Sequence, residues 1–64
     1  MSERRPLATP EEVSAHLQVA EKTLAQWRYL GKGPRFSKIG RHVRYRWNDV
    51  EMWLEEQTTA SHAP

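Results

Sequence analysis

The stretch that decides the fold is Leu17-Gln18-Val19-Ala20-Glu21-Lys22-Thr23-Leu24, because it joins two segments with helical periodicity through residues 18–20 alone. Upstream, Thr9 is placed as an N-cap, and Glu12 three positions later completes the pattern of a capping box. Val13 and Leu17 then repeat one turn apart and predict the buried side of a first helix that ends near Leu17.

Downstream, residues 21–30 predict a second helix, which Gly31 ends as a C-terminal cap. Two short helices joined by so brief a connection are typical of a helix-turn-helix unit, in which the second helix is presented to DNA. A generic helical hairpin has the same pattern, so the segments that follow have to distinguish the two.

A loop signal, Lys32-Gly33-Pro34, separates the second helix from two β-prone runs at residues 36–39 and 43–46, which predict a small hairpin, or wing. A two-residue turn at Gly40-Arg41 would pair Ile39 with His42. A three-residue turn would pair Ile39 with Val43 and place both on the apolar side with Tyr45. We expect the three-residue turn, because it buries more apolar surface.

The segment Asn48-Asp49-Val50-Glu51 has the pattern of a second capping box, with Asn48 as N-cap, and predicts the start of a third helix. Val50, Trp53 and Leu54 give this helix an apolar side. The predicted fold class is therefore α+β: a small winged helix-turn-helix of three short helices, with a two-stranded hairpin wing between helices two and three. We place the domain at residues 6–57, with flexible tails at 1–5 and 58–64.

A chain of 64 residues forms one domain with a small core, and the absence of cysteine leaves hydrophobic packing to stabilise it. We expect the aromatic residues to fill that core, although tryptophan and tyrosine can also stack on single-stranded nucleic acid. The start of the chain resembles no signal peptide, and no apolar run is long enough to span a membrane. These features predict a protein of a reducing cytoplasm, without membrane partners.

Charge is distributed very unevenly along the chain. The eight acidic residues all lie outside residues 22–46, and within that block only positive charges occur. Such a block is suited to a polyanion, because each neutralised phosphate releases condensed counterions. An ordinary solvated surface is the alternative. The basic residues of the block are Lys22, Arg28, Lys32, Arg35, Lys38, Arg41, Arg44 and Arg46.

The second helix has one side that must face the core. At about 100° per residue, Ala20 and Trp27 lie within roughly 60° of Leu24. Lys22, Gln26 and Tyr29 then point the other way, and we predict that they contact base edges, because Lys pairs with guanine, Gln with adenine and Tyr with a thymine methyl or a phosphate. Thr23 and Arg28 border the buried side and are predicted phosphate contacts.

The predicted wing carries a second set of candidate DNA contacts. Arg41 lies at its tip, where it could enter a narrow minor groove, and Lys38, His42 and Arg44 flank it. The alternative is that these charges keep an edge strand soluble, which is a common use of Lys and Arg.

No catalytic or metal-binding pattern stands out. The three histidines, His16, His42 and His62, lie on separate predicted elements, and no Ser/His/Asp or paired-carboxylate arrangement is present. The prediction is a protein that is not an enzyme and that has no cofactor and no bound metal.

The order of elements and several sequence phrases resemble the excisionase-type, MerR-like winged helix-turn-helix domains of phage and other mobile elements. Members commonly have Gly-Val-Ser where this chain has Gln18-Val19-Ala20, so the usual serine N-cap of the recognition helix is missing. The resemblance spans about residues 7 to 55. It rests on residues 17–24 before Gln26-Trp27, on Gly33-Pro34 and Phe36, on Lys38-Ile39-Gly40-Arg41, on Val43-Arg44-Tyr45 and on residues 48–54.

The resemblance implies two roles. One is an excisionase that binds double-stranded DNA at repeated sites, bends it and helps an integrase to excise a prophage, with head-to-tail self-association on adjacent sites. The other is a small transcriptional regulator of a mobile element. The short segment after the third helix favours the first role. A protein-interaction adaptor for integrase, with little DNA contact, is the alternative from another class.

Overall fold

The computed structural model describes residues 7–60, and side-chain surroundings for residues 7–58. Within that range the chain forms three helices and three short strands. The predicted α+β architecture is confirmed, since the hairpin lies between the second and third helices. In chain order the elements are β1 (Leu7–Ala8), α1 (Pro10–Leu17), α2 (Glu21–Leu30), β2 (Phe36–Ile39), β3 (His42–Arg46) and α3 (Trp47–Ala60).

The first helix begins as its sequence predicts. The backbone N–H of Glu12 donates to Thr9 Oγ1 at 3.1 Å, and the backbone N–H of Thr9 donates to Glu12 Oε1 at 3.0 Å. Both bonds of the capping box are therefore present, and they satisfy two donors that the first turn of a helix leaves without partners. The second helix also has its predicted bounds, and Gly31 caps its C-terminus.

Two residues in the turn between α1 and α2 are locally unfavourable. Gln18 has a left-handed backbone with φ 60°, a conformation that residues with a Cβ rarely adopt. Ala20 is the N-cap of α2 and makes no side-chain capping bond, as its sequence predicts. Tertiary packing therefore stabilises this turn, because Val13 of α1 and Leu24 of α2 are buried in the same hydrophobic cluster.

The sheet has three strands in the order β1-β3-β2, all antiparallel. The strand β1 was not predicted, because two residues are too short to show an alternating pattern. It pairs Leu7 with Arg46 and Ala8 with Tyr45. The N-terminal segment thus covers the side of β3 that the wing leaves open, and Ala8 becomes part of the core.

The predicted register of the wing is wrong. Ile39 pairs with His42 across a two-residue turn at Gly40-Arg41, and Lys38 pairs with Val43. Gly40 has φ 63° at the first central position, the backbone that a tight hairpin turn requires there. This turn geometry outweighs the burial of Ile39, which lies on the outer side of the sheet and is 49% exposed.

The core is small and centred on β3. Within the described residues its fully buried hydrophobic members are Ala8, Val13, Leu24, Tyr45 and Val50. Trp27 and Trp47 pack against this cluster, and the rings of Trp27 and Trp53 lie 5.3 Å apart. The prediction that the aromatic residues fill the core is confirmed for these side chains and for Tyr45, but it is wrong for Phe36 and Tyr29, which are 40% and 88% exposed.

The third helix begins earlier than predicted. It starts at Trp47, directly after β3, so Asn48 lies within the first turn and is not the N-cap. The indole of Trp47 packs against the core and against His16, with 5.1 Å between the ring centroids. These contacts favour a helical conformation that begins at Trp47. Of the predicted apolar side, Val50 is buried and Trp53 is half-buried, but Leu54 is 37% exposed.

The third helix also extends past the predicted domain edge at residue 57 and ends at Ala60. Thr58 Oγ1 donates to the carbonyl of Leu54 one turn back, at 3.1 Å, within the segment predicted as a tail. The remainder of the two predicted tails, residues 1–5 and 61–64, lies outside the described residues.

We expect Gln18→Gly to raise the free energy of unfolding by about 1 kcal/mol, because glycine adopts a positive φ without a Cβ clash. Urea denaturation of the full chain measures the change. Gln18→Ala is the matched control, since alanine removes the same side chain but keeps the Cβ. Equal stability of the two variants would show that the turn is not strained.

Candidate nucleic-acid interface

The side of α2 that is exposed to solvent is the side that the helical spacing predicts. Lys22, Gln26 and Tyr29, here called the recognition surface, are all exposed, and Tyr29 is 88% exposed. Leu24, on the opposite side of the helix, is fully buried. The helix is thus fixed by its core side and presents a polar side with one aromatic ring to solvent.

Leu30 is an apolar neighbour of the recognition surface that sequence reasoning missed. It follows Gln26 by one turn and is 55% exposed. Its position one turn after Gln26 was the available signal. Beside Gln26 it offers an apolar contact of the kind that thymine methyl groups accept.

Arg28 has a partner inside the protein. Its Nη1 donates to the hydroxyl of Tyr45 at 3.0 Å, and its guanidinium carbon lies 5.8 Å from the centre of the Phe36 ring. Arg28 therefore joins the recognition helix to the strands of the wing. The guanidinium has further N–H donors, so the predicted phosphate contact stays a prediction, beside a structural role that the sequence did not indicate. Thr23, the other predicted border residue, is half-buried.

The charges of the wing divide between its two sides. Residues directly opposite in an antiparallel pair share a side of the sheet, so Lys38 lies on the side of Val43 and Tyr45, towards α2. His42 and Arg44 lie on the outer side, and Arg41 is exposed in the turn. The corrected register thus separates cations that the sequence analysis treated as one cluster.

The basic and acidic residues are carried by different elements. In residues 7–58 the acidic side chains belong to α1 and α3, apart from Glu21 at the start of α2. One of them, Glu51, lies 3.0 Å from His16 Nε2 and so links α3 to α1. By contrast, Lys22, Lys38 and Arg41 make no ion pair within the described part of the chain, which leaves their charges available to a polyanion.

Two other features are absent from the described residues. No group of three or more His, Asp or Glu side chains is placed to hold a metal ion. None of the helices is long and apolar enough to cross a bilayer.

An exposed polar helix preceded by a short helix and followed by a basic hairpin defines a winged helix-turn-helix module. A family model described as "Helix-turn-helix domain" matches residues 9–58, and the chain belongs to this family. No curated protein matches the chain. Helix-turn-helix domains bind double-stranded DNA sequence-specifically through their second helix, which here is α2. Which of its side chains contact the DNA stays a prediction.

We expect Gln26→Ala to reduce the preference for a selected duplex over a scrambled one by about 1 to 3 kcal/mol, because a bidentate base contact is lost. Fluorescence anisotropy on both duplexes measures this preference. Lys38→Ala is the control and should weaken binding to both duplexes alike. A Gln26→Ala variant that also loses affinity uniformly would place Gln26 outside the base contacts.

The hydrogen bond between Arg28 and Tyr45 should contribute to the free energy of unfolding. We expect Tyr45→Phe and Arg28→Gln each to lower the free energy of unfolding by about 1.5 to 3 kcal/mol, the range for a hydrogen bond to a charged group. The double variant should lose little more than either single one, because both changes break one interaction. Urea denaturation of all four proteins tests this, and fully additive losses would contradict it.

Proposed function

We propose that this protein is an excisionase of a phage or other mobile element. It binds beside a recombination site with α2 in the major groove and the wing in the adjacent minor groove, bends the duplex, and directs an integrase towards excision. The observation that carries the proposal is the placement of cations on both sides of a short hairpin that adjoins the recognition helix.

The geometry of the wing suits the minor groove. That groove is about 6 Å wide in B-DNA and is bordered by two phosphate backbones. A hairpin with Lys38 on one side and His42 and Arg44 on the other can meet one backbone with each side, while Arg41 at the turn enters between them. If these charges only kept the wing soluble, they would not need to lie on both sides of the hairpin.

A module that engages two adjacent grooves favours bending. The bond from Arg28 to Tyr45 links α2 to the sheet, which favours a change in the shape of the duplex over a rearrangement of the protein. Smooth bending by 40–90° costs on the order of 1–6 kcal/mol, which additional phosphate contacts can repay. Resemblance to excisionase-type domains, together with membership of the helix-turn-helix family, supports the same role. Head-to-tail self-association on repeated sites and contact with integrase belong to this proposal.

We expect gel-shift titration on DNA from around the protein's own gene to give stepwise, strongly bent complexes, with bending measured on circularly permuted fragments. The double variant Lys38→Ala, Arg41→Ala should bind with a smaller bend and a flatter salt dependence, by about 0.9 in the logarithmic slope per lost phosphate contact. Gln26→Ala is the control, because it alters the base contacts and leaves the wing intact.

Other outcomes would identify the alternatives. A single unbent complex would indicate a transcriptional regulator of a mobile element. Binding that does not depend on salt, or no binding at all, would indicate a protein-interaction adaptor.

A further inference from the structure

The loop between α2 and β2 carries two cations that the DNA contacts proposed above do not use. Lys32 and Arg35 are both exposed, and neither makes an ion pair within the described residues. The loop borders an open concavity of about 270 Å³, lined by Gly31, Lys32, Gly33, Pro34, Arg35 and Phe36. Gly31 has no side chain and no atom lies within 4 Å of where its Cβ would be, so a ligand can approach the backbone closely there.

The loop is held firmly against the domain. The backbone N–H of Lys32 donates to the carbonyl of Trp27 at 2.8 Å, and that of Gly31 donates to the carbonyl of Arg28 at 3.2 Å. Gly33 lies so close to Trp27 that an added Cβ would be only 3.0 Å from the indole atom Cε3. Pro34 is buried. The two cations therefore extend from an anchored backbone, and ordering them on a ligand costs only side-chain entropy.

The position of the loop indicates what it meets. A helix in the major groove and a wing in the adjacent minor groove lie on either side of one sugar–phosphate backbone. The segment that connects the two elements has to pass over that backbone, and this segment is residues 31–35. We infer that Lys32 and Arg35 form a phosphate clamp, which binds the backbone between the two grooves. This inference rests on the proposed mode of DNA binding.

Other groups near the loop leave the clamp free to act. Arg35 also borders a smaller cavity of about 150 Å³ beside Asp49 and Glu56, but it forms no ion pair with either carboxylate. Arg28 is already bonded to Tyr45. Arginine binds a phosphate with two parallel N–H donors, whereas lysine acts as a point charge. Arg35 should therefore set the position of the phosphate, and Lys32 should add charge.

The clamp can be tested from both sides of the contact. We expect Lys32→Gln and Arg35→Gln each to lower the logarithmic salt slope by about 0.9 and to weaken binding roughly fivefold to tenfold near 0.1 M salt. The probe is a duplex selected from random DNA by the full chain. Preference for this duplex over scrambled DNA should not change. Arg46→Gln is the comparison, because it removes one exposed positive charge of the same basic block outside the loop, at the end of β3 far from the wing turn.

The second measurement places a single neutral methylphosphonate at each backbone position of the selected duplex in turn. Wild-type protein should lose affinity at the phosphate between the two grooves, and Arg35→Gln should be insensitive at that same position. Arg35→Lys should recover the salt slope but only part of the affinity.

The inference is overturned if both glutamine variants keep the wild-type slope and the wild-type methylphosphonate profile. Failure of the proposed function has a different signature, because the wild-type protein would then show no specific or bent complex on any duplex. Both substituted side chains are exposed, and thermal unfolding of each variant checks that the fold is retained.

Discussion

Tyr45 is the residue at which the recognition helix, the wing and the core meet. It is 1% exposed, and it pairs with Phe36 on one side of β3 and with Ala8 on the other. Its hydroxyl accepts the bond from Arg28, so the polar end of a buried ring is satisfied by the helix that contacts DNA. A buried tyrosine needs such a partner. Tyr45 thus fills the core with its ring and binds α2 with its hydroxyl, so the position of α2 against the wing depends on the packing of the core.

Little apolar mass stabilises this arrangement. The five hydrophobic side chains that are fully buried in the described part of the chain are supported by half-buried tryptophans at the rim. The left-handed Gln18 and the uncapped start of α2 at Ala20 both work against the helix-turn-helix connection. In a domain of this size a few kcal/mol decide whether the chain is folded. The capping box of α1 and the pairing of β1 with β3 are therefore substantial parts of its stability.

The electrostatic layout follows from the same geometry. The acidic residues lie mainly on α1 and α3, which pack on the core side of the sheet, and the unpaired cations lie on α2, the loop after it and the wing. The positive charge is thus concentrated on the elements that the bond between Arg28 and Tyr45 links. In the proposed binding mode, base contacts from the recognition surface specify the sequence, and phosphate contacts from the wing and the loop set the register of the protein on the duplex.

Local chemistry made most of the fold predictable. The capping box at Thr9, the glycine after Leu30 and the apolar spacing around Leu24 depend only on residues within one or two turns, so the sequence by itself determined α1, α2 and the exposed position of Lys22, Gln26 and Tyr29. The uneven charge distribution is likewise a property of the sequence. The register of the wing is also a local property, since the tight turn at Gly40 outweighed burial of Ile39, to which our prediction gave the greater weight. Tertiary structure alone decided the early start of α3 at Trp47, the strand at Leu7 and Ala8, and the bond that Arg28 makes to Tyr45. Each of these depends on a contact between residues far apart in the chain, and no local pattern encodes such a contact.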